Sequence, residues 1–126
     1  MPDARREFGD RGEALAASFL KKKGMRILGA QVACRGGEID LVCEDRDSLV
    51  FVEVKTRRTG LYGNPEDAVT PAKIARLLRA AHWFLTERHL EARLWRVDVV
   101  AIRFFENDTP PEIIHFENID TPEELW

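Results

Sequence analysis

The chain has little of what marks the specialised protein classes. It has two cysteines, Cys34 and Cys43, without CxxC spacing and with no histidine nearby in sequence, which argues against both a redox pair and a zinc site. The three histidines, His82, His89 and His115, are scattered without ligand spacing and carry no chemistry in this reading. No apolar run approaches the roughly 20 residues that span a bilayer. The N-terminal "MPDARREFGDRGE" is charged and lacks the apolar stretch of a secretion signal, so the expectation is a cytoplasmic protein with no membrane association. A basic excess is missing too. Lys and Arg total 19 against 22 Asp and Glu, a net charge of -3, so any nucleic-acid contact has to come from a local patch. Repeats, low-complexity tracts and linkers are absent.

What remains is an ordinary globular composition over 126 residues, 44% hydrophobic and 33% charged, which suits a single domain with a sizeable core. The expected core covers about residues 9–105, with 106–126 as a C-terminal extension. "RGEALAASFLKKK" (11–23) has helix-forming composition, lysines in its last turn and Gly24 as C-cap. A strand is expected at about 26–33, a turn at "RGG" (35–37), then strands at 38–44 and 49–56 joined by the hairpin loop "DRDS". The glycines and Pro65 of "RRTGLYGNPEDAV" mark a long loop. Thr70 and Pro71 occupy the N-cap and first position of a second helix, whose stripe is Ile74, Leu77, Leu78, Ala81 and Leu85. Strands at about 94–105 and 113–116 follow. The order implies an α/β domain with a mixed sheet, and the helical crossover makes the third and fourth strands a parallel pair.

The stretch "VFVEVKTR" (50–57) places Glu53 and Lys55 in a run that otherwise reads as core. If "DRDS" turns about Arg46 and Asp47, residues facing each other have numbers summing to 93, so Asp40 opposes Glu53 and Glu38 opposes Lys55. Alternation then puts Ile39, Leu41, Cys43, Val50, Val52 and Val54 on one face, the core, and Glu38, Asp40, Val42, Phe51, Glu53 and Lys55 on the other. Two carboxylates directly opposed across a ladder repel each other. A hard divalent cation such as Mg²⁺ offsets that repulsion and takes oxygen ligands, here Asp40, Glu53 and the Val54 backbone carbonyl. Lys55, on the same side, is then placed to orient or activate a water, or to stabilise charge developing on a phosphoryl group. The same spacing also fits a plain cross-strand ion pair on a solvated face, and spacing alone leaves both open.

Taken with "GDRGEALAASFL", "GGEIDLV", "LVFVEVKTR", "YGNPEDAVTPAK" and "RVDVVAI", the pattern resembles the PD-(D/E)xK nuclease superfamily, and its wording resembles the YraN-type branch, close to archaeal Holliday-junction resolvases. The resemblance covers about residues 9–102. It implies a restriction-endonuclease-like fold, a central mixed sheet flanked by helices, and a Mg²⁺- or Mn²⁺-dependent endonuclease acting on DNA, with branched or structured DNA as the expected substrate. Asp40 and Glu53 become metal ligands, Lys55 the catalytic lysine, and Glu13 the acid that completes the cluster. Glu13 also reads as a solvated helix carboxylate. The implied nucleic-acid contacts are Lys73, early in the second helix, and Arg57 and Arg58 just past the catalytic strand. Arg76 is a further candidate, although it and Arg79, three apart on the helix, also read as a solvated helix face. Asp98 matches an Arg-x-Asp pattern but, on a core strand, is expected to partner Arg96 or a backbone group. Gln31 and Ala33 stand where the family usually has Asn and Arg. A homodimer is the common way to cut two strands symmetrically. The alternative is a nucleic-acid-binding or scaffold protein that keeps the fold without cutting.

Overall fold

A computed structural model describes residues 4–58 and 70–119, with side chains from Glu7 onward. The chain order is α1 (Ala4–Lys22), β1 (Arg26–Cys34), β2 (Gly37–Asp45), β3 (Ser48–Arg58), α2 (Pro71–Glu87), β4 (Trp95–Phe104) and β5 (Glu112–Phe116). The strands form one mixed sheet in the order β1-β2-β3-β4-β5. Its β3–β4 pair is parallel and the other pairs are antiparallel. The expected α/β class, the mixed sheet and the parallel pair are all present. Helix α1 starts seven residues before the expected Arg11. The predicted loop "GLYGNPEDAV" lies outside the described residues.

Both faces of the sheet are covered, and this corrects the expectation of a single core face. On one side Ala16 and Leu20 of α1 pack on Leu41, Cys43, Val50, Val52, Val100 and Ile102. On the other, Leu77, Ala81, Phe84 and Leu85 of α2 pack on Val42, Leu49, Phe51 and Val97. Each Val, Leu, Ile or Phe among them stabilises the fold by about 1.5–3 kcal/mol when fully buried. In α2 the buried stripe includes Ala80 and Phe84, while Leu78 is only partly covered. Thr70 caps this helix as expected, its Oγ1 accepting from the Lys73 N–H, with Pro71 in the first turn. Gly24 has φ +96, the left-handed conformation that a helix-terminating glycine adopts without steric cost. Cys43 is a buried core residue whose thiol burial pushes up to about 12, which removes it from thiolate chemistry.

Gly12 sets how close α1 comes to the sheet. A Cβ at this position would lie 2.0 Å from Thr56 Cγ2, so only glycine lets the helix approach β3 here. The next residue is Glu13. Its proximity to the sheet follows from that contact.

Candidate active-site cleft

The β2–β3 hairpin has the expected register: Leu41 faces Val52, Val42 faces Phe51, and Asp45 faces Ser48 across the turn. The ladder then stops at Leu41–Val52. Beyond that pair β2 stays paired with β1 as far as Cys34–Gly37, and β3 stays paired with β4 as far as Arg58–Phe104. The sheet therefore opens between its second and third strands. Asp40 and Glu53 are the first residues past the last rung. They are not a ladder pair as the turn's register implied; instead the Val54 N–H donates to Asp40 Oδ2 at 2.8 Å. The carboxylate stands in for the strand's own acceptor. Regular alternation fails at the same point, since Ile39 packs in the α2 core while Leu41 packs in the α1 core.

The opening holds a cavity of about 220 Å³ lined by Glu38, Asp40, Glu53, Lys55, Lys73 and Arg76 among others. Lys55 Nζ lies 3.0 Å from Glu53 Oε1. Burial, then the neighbouring Glu53 charge, pushes Asp40 up to about 7, against the lowering effect of the Val54 bond. Glu13 is raised as well, by burial first and then by Asp10, Glu38 and Glu53, while a hydrogen bond from Gln31 works the other way. Gln31 Nε2 donates to Glu13 Oε2 and Asp10 Oδ1, both at 3.2 Å. Burial lowers Lys73, helped by the adjacent Lys55 and Arg57. Three carboxylates, Glu38, Asp40 and Glu53, and three cations, Lys55, Lys73 and Arg76, thus line the cavity where the sheet splits.

The structure brings together most of the residues singled out from the sequence. Asp40, Glu53, Lys55, Lys73 and Arg76 line the opening, Glu13 is near enough to act on Asp40, and Arg57 is near enough to act on Lys73. Arg58 is separated from Arg57: it stacks on Phe8 of α1, on the other face of the sheet. Arg79 is exposed and does not line the cavity. Asp98 behaves as expected of a structural partner, accepting from Arg96 Nε at 3.0 Å and from the Asn118 N–H at 2.9 Å. Two residues were missed. Glu38 entered only as a partner for Lys55, and Gln31 only as a departure from a pattern. His115, given no role, is buried against Asp98 at 2.7 Å. Among the described residues no three His, Cys, Asp or Glu side chains converge as a ready-made metal cluster.

These features define a class: an α/β domain whose five-stranded mixed sheet opens onto a cleft of carboxylates and lysines. The chain belongs to the family described as "Uncharacterised protein family UPF0102", whose model matches residues 12–102. It is 46% identical over 115 residues to a UPF0102 protein of Anaeromyxobacter dehalogenans, covering 90% of this chain and 84% of the relative. Another relative, from Pelotomaculum thermopropionicum, is 42% identical over 118 residues, covering 94% and 98%. No helix among the described residues is long and apolar enough to cross a membrane.

Proposed function

We propose that the protein is a Mg²⁺- or Mn²⁺-dependent endonuclease that hydrolyses phosphodiester bonds in DNA, with branched or structured DNA as substrate. The observation that carries this reading is the split in the sheet, which sets Asp40, Glu53 and Lys55 side by side in a cavity. The five-stranded mixed sheet with a helix on each face supports a restriction-endonuclease-like fold.

The donor set fits a hard divalent cation. Asp40 and Glu53 supply carboxylate oxygens and the Val54 carbonyl a neutral one, with Glu13 alongside. The raised pKa of Asp40 expresses negative charge that burial leaves without enough compensation. When bound, such an ion neutralises charge on a phosphoryl group and makes water more acidic. The protein's own residues do the rest. Lys55, 3.0 Å from Glu53, is positioned to donate to a non-bridging phosphate oxygen as charge develops there. Lys73, Arg57 and Arg76 hold the flanking phosphates at the mouth. A twofold dimer would supply the second site for paired incisions.

One observation favours the non-cutting alternative, a nucleic-acid-binding or scaffold role. Each acid has an internal partner: Glu53 has Lys55, Asp40 has the Val54 N–H, and Glu13 has Gln31. A panel of labelled DNA substrates, including a four-way junction, separates the two readings when incubated with Mg²⁺ or Mn²⁺. Cleavage by the wild type that Lys55→Ala abolishes supports the nuclease. Binding without metal-dependent cleavage on any substrate supports the scaffold.

A further inference from the structure

A second, larger cavity of about 660 Å³ lies at the far ends of β3 and β4, on the α1 face. Its floor is built from four side chains. The Arg58 guanidinium lies 4.9 Å from the ring centre of Phe8, and that of Arg11 lies 4.7 Å from the ring centre of Phe104. The two rings are themselves in contact, 5.1 Å apart and tilted by 54°. Cation–π attraction thus holds two exposed arginines against the half-buried Phe8 and the buried Phe104. Arg26, Arg93 and Arg96 are each engaged by carboxylates. Arg11 and Arg58 have no such partner among the described residues. The opposite wall is the β4–β5 loop, which contributes Glu106 and Asp108.

We infer that this groove binds an unpaired segment of nucleic acid, stacking bases on Arg11 and Arg58, with the strand continuing around the end of β3 to the cleft on the opposite face. The inference rests on the nuclease reading for its destination only. Guanidinium planes are stacking platforms for bases that have left a duplex, and their charge serves the adjoining phosphates. Glu106 and Asp108 are acceptors, suited to base amino groups and repulsive to a second phosphate backbone. A duplex, with one charge per ~1.7 Å of axis and no free base faces, fits such a two-signed groove poorly. The size suits one or two nucleotides. Arg58 follows Lys55 by three residues on β3, about 10 Å along the strand, and Arg11 precedes Glu13 by two on α1. The two elements that carry the proposed chemistry also carry the grip.

The test is equilibrium binding of a fluorescent oligodeoxycytidylate, whose bases carry amino groups, to the full chain in chelator, where cleavage plays no part. Wild type should bind it more tightly than a duplex of equal length. Arg58→Lys and Arg11→Lys keep the charge but lose the planar stack. Each should weaken single-strand binding at least about tenfold, the scale of one lost base stack, with circular dichroism unchanged. Equal affinity for duplex, or lysine variants that bind like wild type, would overturn the inference. So would loss of binding in Lys73→Ala with both lysine variants unaffected, since that places the strand in the cleft alone. Arginine-dependent oligonucleotide binding by a protein that cuts no substrate upholds the groove and rejects the nuclease reading, so the two fail separately.

Discussion

Two aspartates, Asp40 and Asp98, are held in the same sheet in opposite ways. Asp98 is fully buried on β4, yet it accepts from Arg96, His115 and the Asn118 N–H. Lys23 donates to His115 Nδ1 at 2.9 Å, and since an ammonium can only donate, the ring proton sits on Nε2 and points at Asp98. Burial alone would raise this carboxyl, but the bonds from His115, Arg96 and Asn118 outweigh it and hold the pKa below the usual carboxylate range. Asp40 is less buried and worse served, with one backbone donor and Glu53 as a neighbour. Depth therefore does not separate an acid held ionised from one pushed toward its neutral form. The number of donors around it does.

The contrast is tested most severely at Asp98. Replacing it with alanine strands Arg96 beside an empty position and removes the acceptor for His115, so a loss of about 3–5 kcal/mol is expected in denaturant unfolding. DNA binding at the cleft should survive in whatever fraction stays folded. Lys55→Ala should do the reverse: cleavage falls by about 10²–10³-fold while the unfolding midpoint barely moves. If Lys55→Ala unfolds the protein as readily as Asp98→Ala, the two regions do not differ in kind.

A smaller effect of opposite sign is expected at Asp40. Asparagine preserves an acceptor for the Val54 N–H and removes the charge, so Asp40→Asn should gain about 1 kcal/mol or more at pH 8 in chelator, given 1.36 kcal/mol per unit of pKa displacement. That gain should vanish when Mn²⁺ is added, because a cation held by the wild-type carboxylates stabilises the wild type by mass action.

The least dramatic test is the pH profile of stability in metal-free buffer. Asp98, with a depressed folded pKa, contributes stability that is full above its unfolded value near ~3.9 and is lost as pH falls through the lower folded value. Asp40, raised in the fold, contributes in the other direction. Its share is full below ~3.9 and is lost as pH rises through about 7. Stability measured from pH 3 to 9 should therefore fall as pH drops below ~3.9 and fall again as pH rises toward about 7, levelling off above it, and Asp40→Asn should flatten only this second decline. Thermal melts across that range give the answer directly.

Much of the site was legible before any coordinates. The turn at Arg46–Asp47 fixes the hairpin register, and with it the nearness of Asp40 to Glu53, because a two-residue connection leaves no freedom to slide. Helix α2 was readable from Thr70, Pro71 and the apolar stripe, since capping and 3.6-residue periodicity are local properties. The break in alternation at Ile39 was not readable, because it arises where a ladder ends and a side chain takes the place of a backbone acceptor. That Arg58 lies on the opposite face of the sheet from Arg57 was not readable from their adjacency just past the strand. Adjacent residues on a strand face opposite ways, and Phe8, which captures Arg58, is distant in sequence.

By itself the chain determined which elements form, how the hairpin aligns and which acids and lysines share its end, since periodicity, caps and turn length act over a few residues. Only the tertiary structure decided that the sheet splits at Leu41–Val52, that Gly12 brings Glu13 to the opening, and that Asp98 is satisfied while Asp40 is not. Those outcomes depend on partners from distant segments, and the surroundings of a carboxylate, rather than its place in the sequence, set its charge.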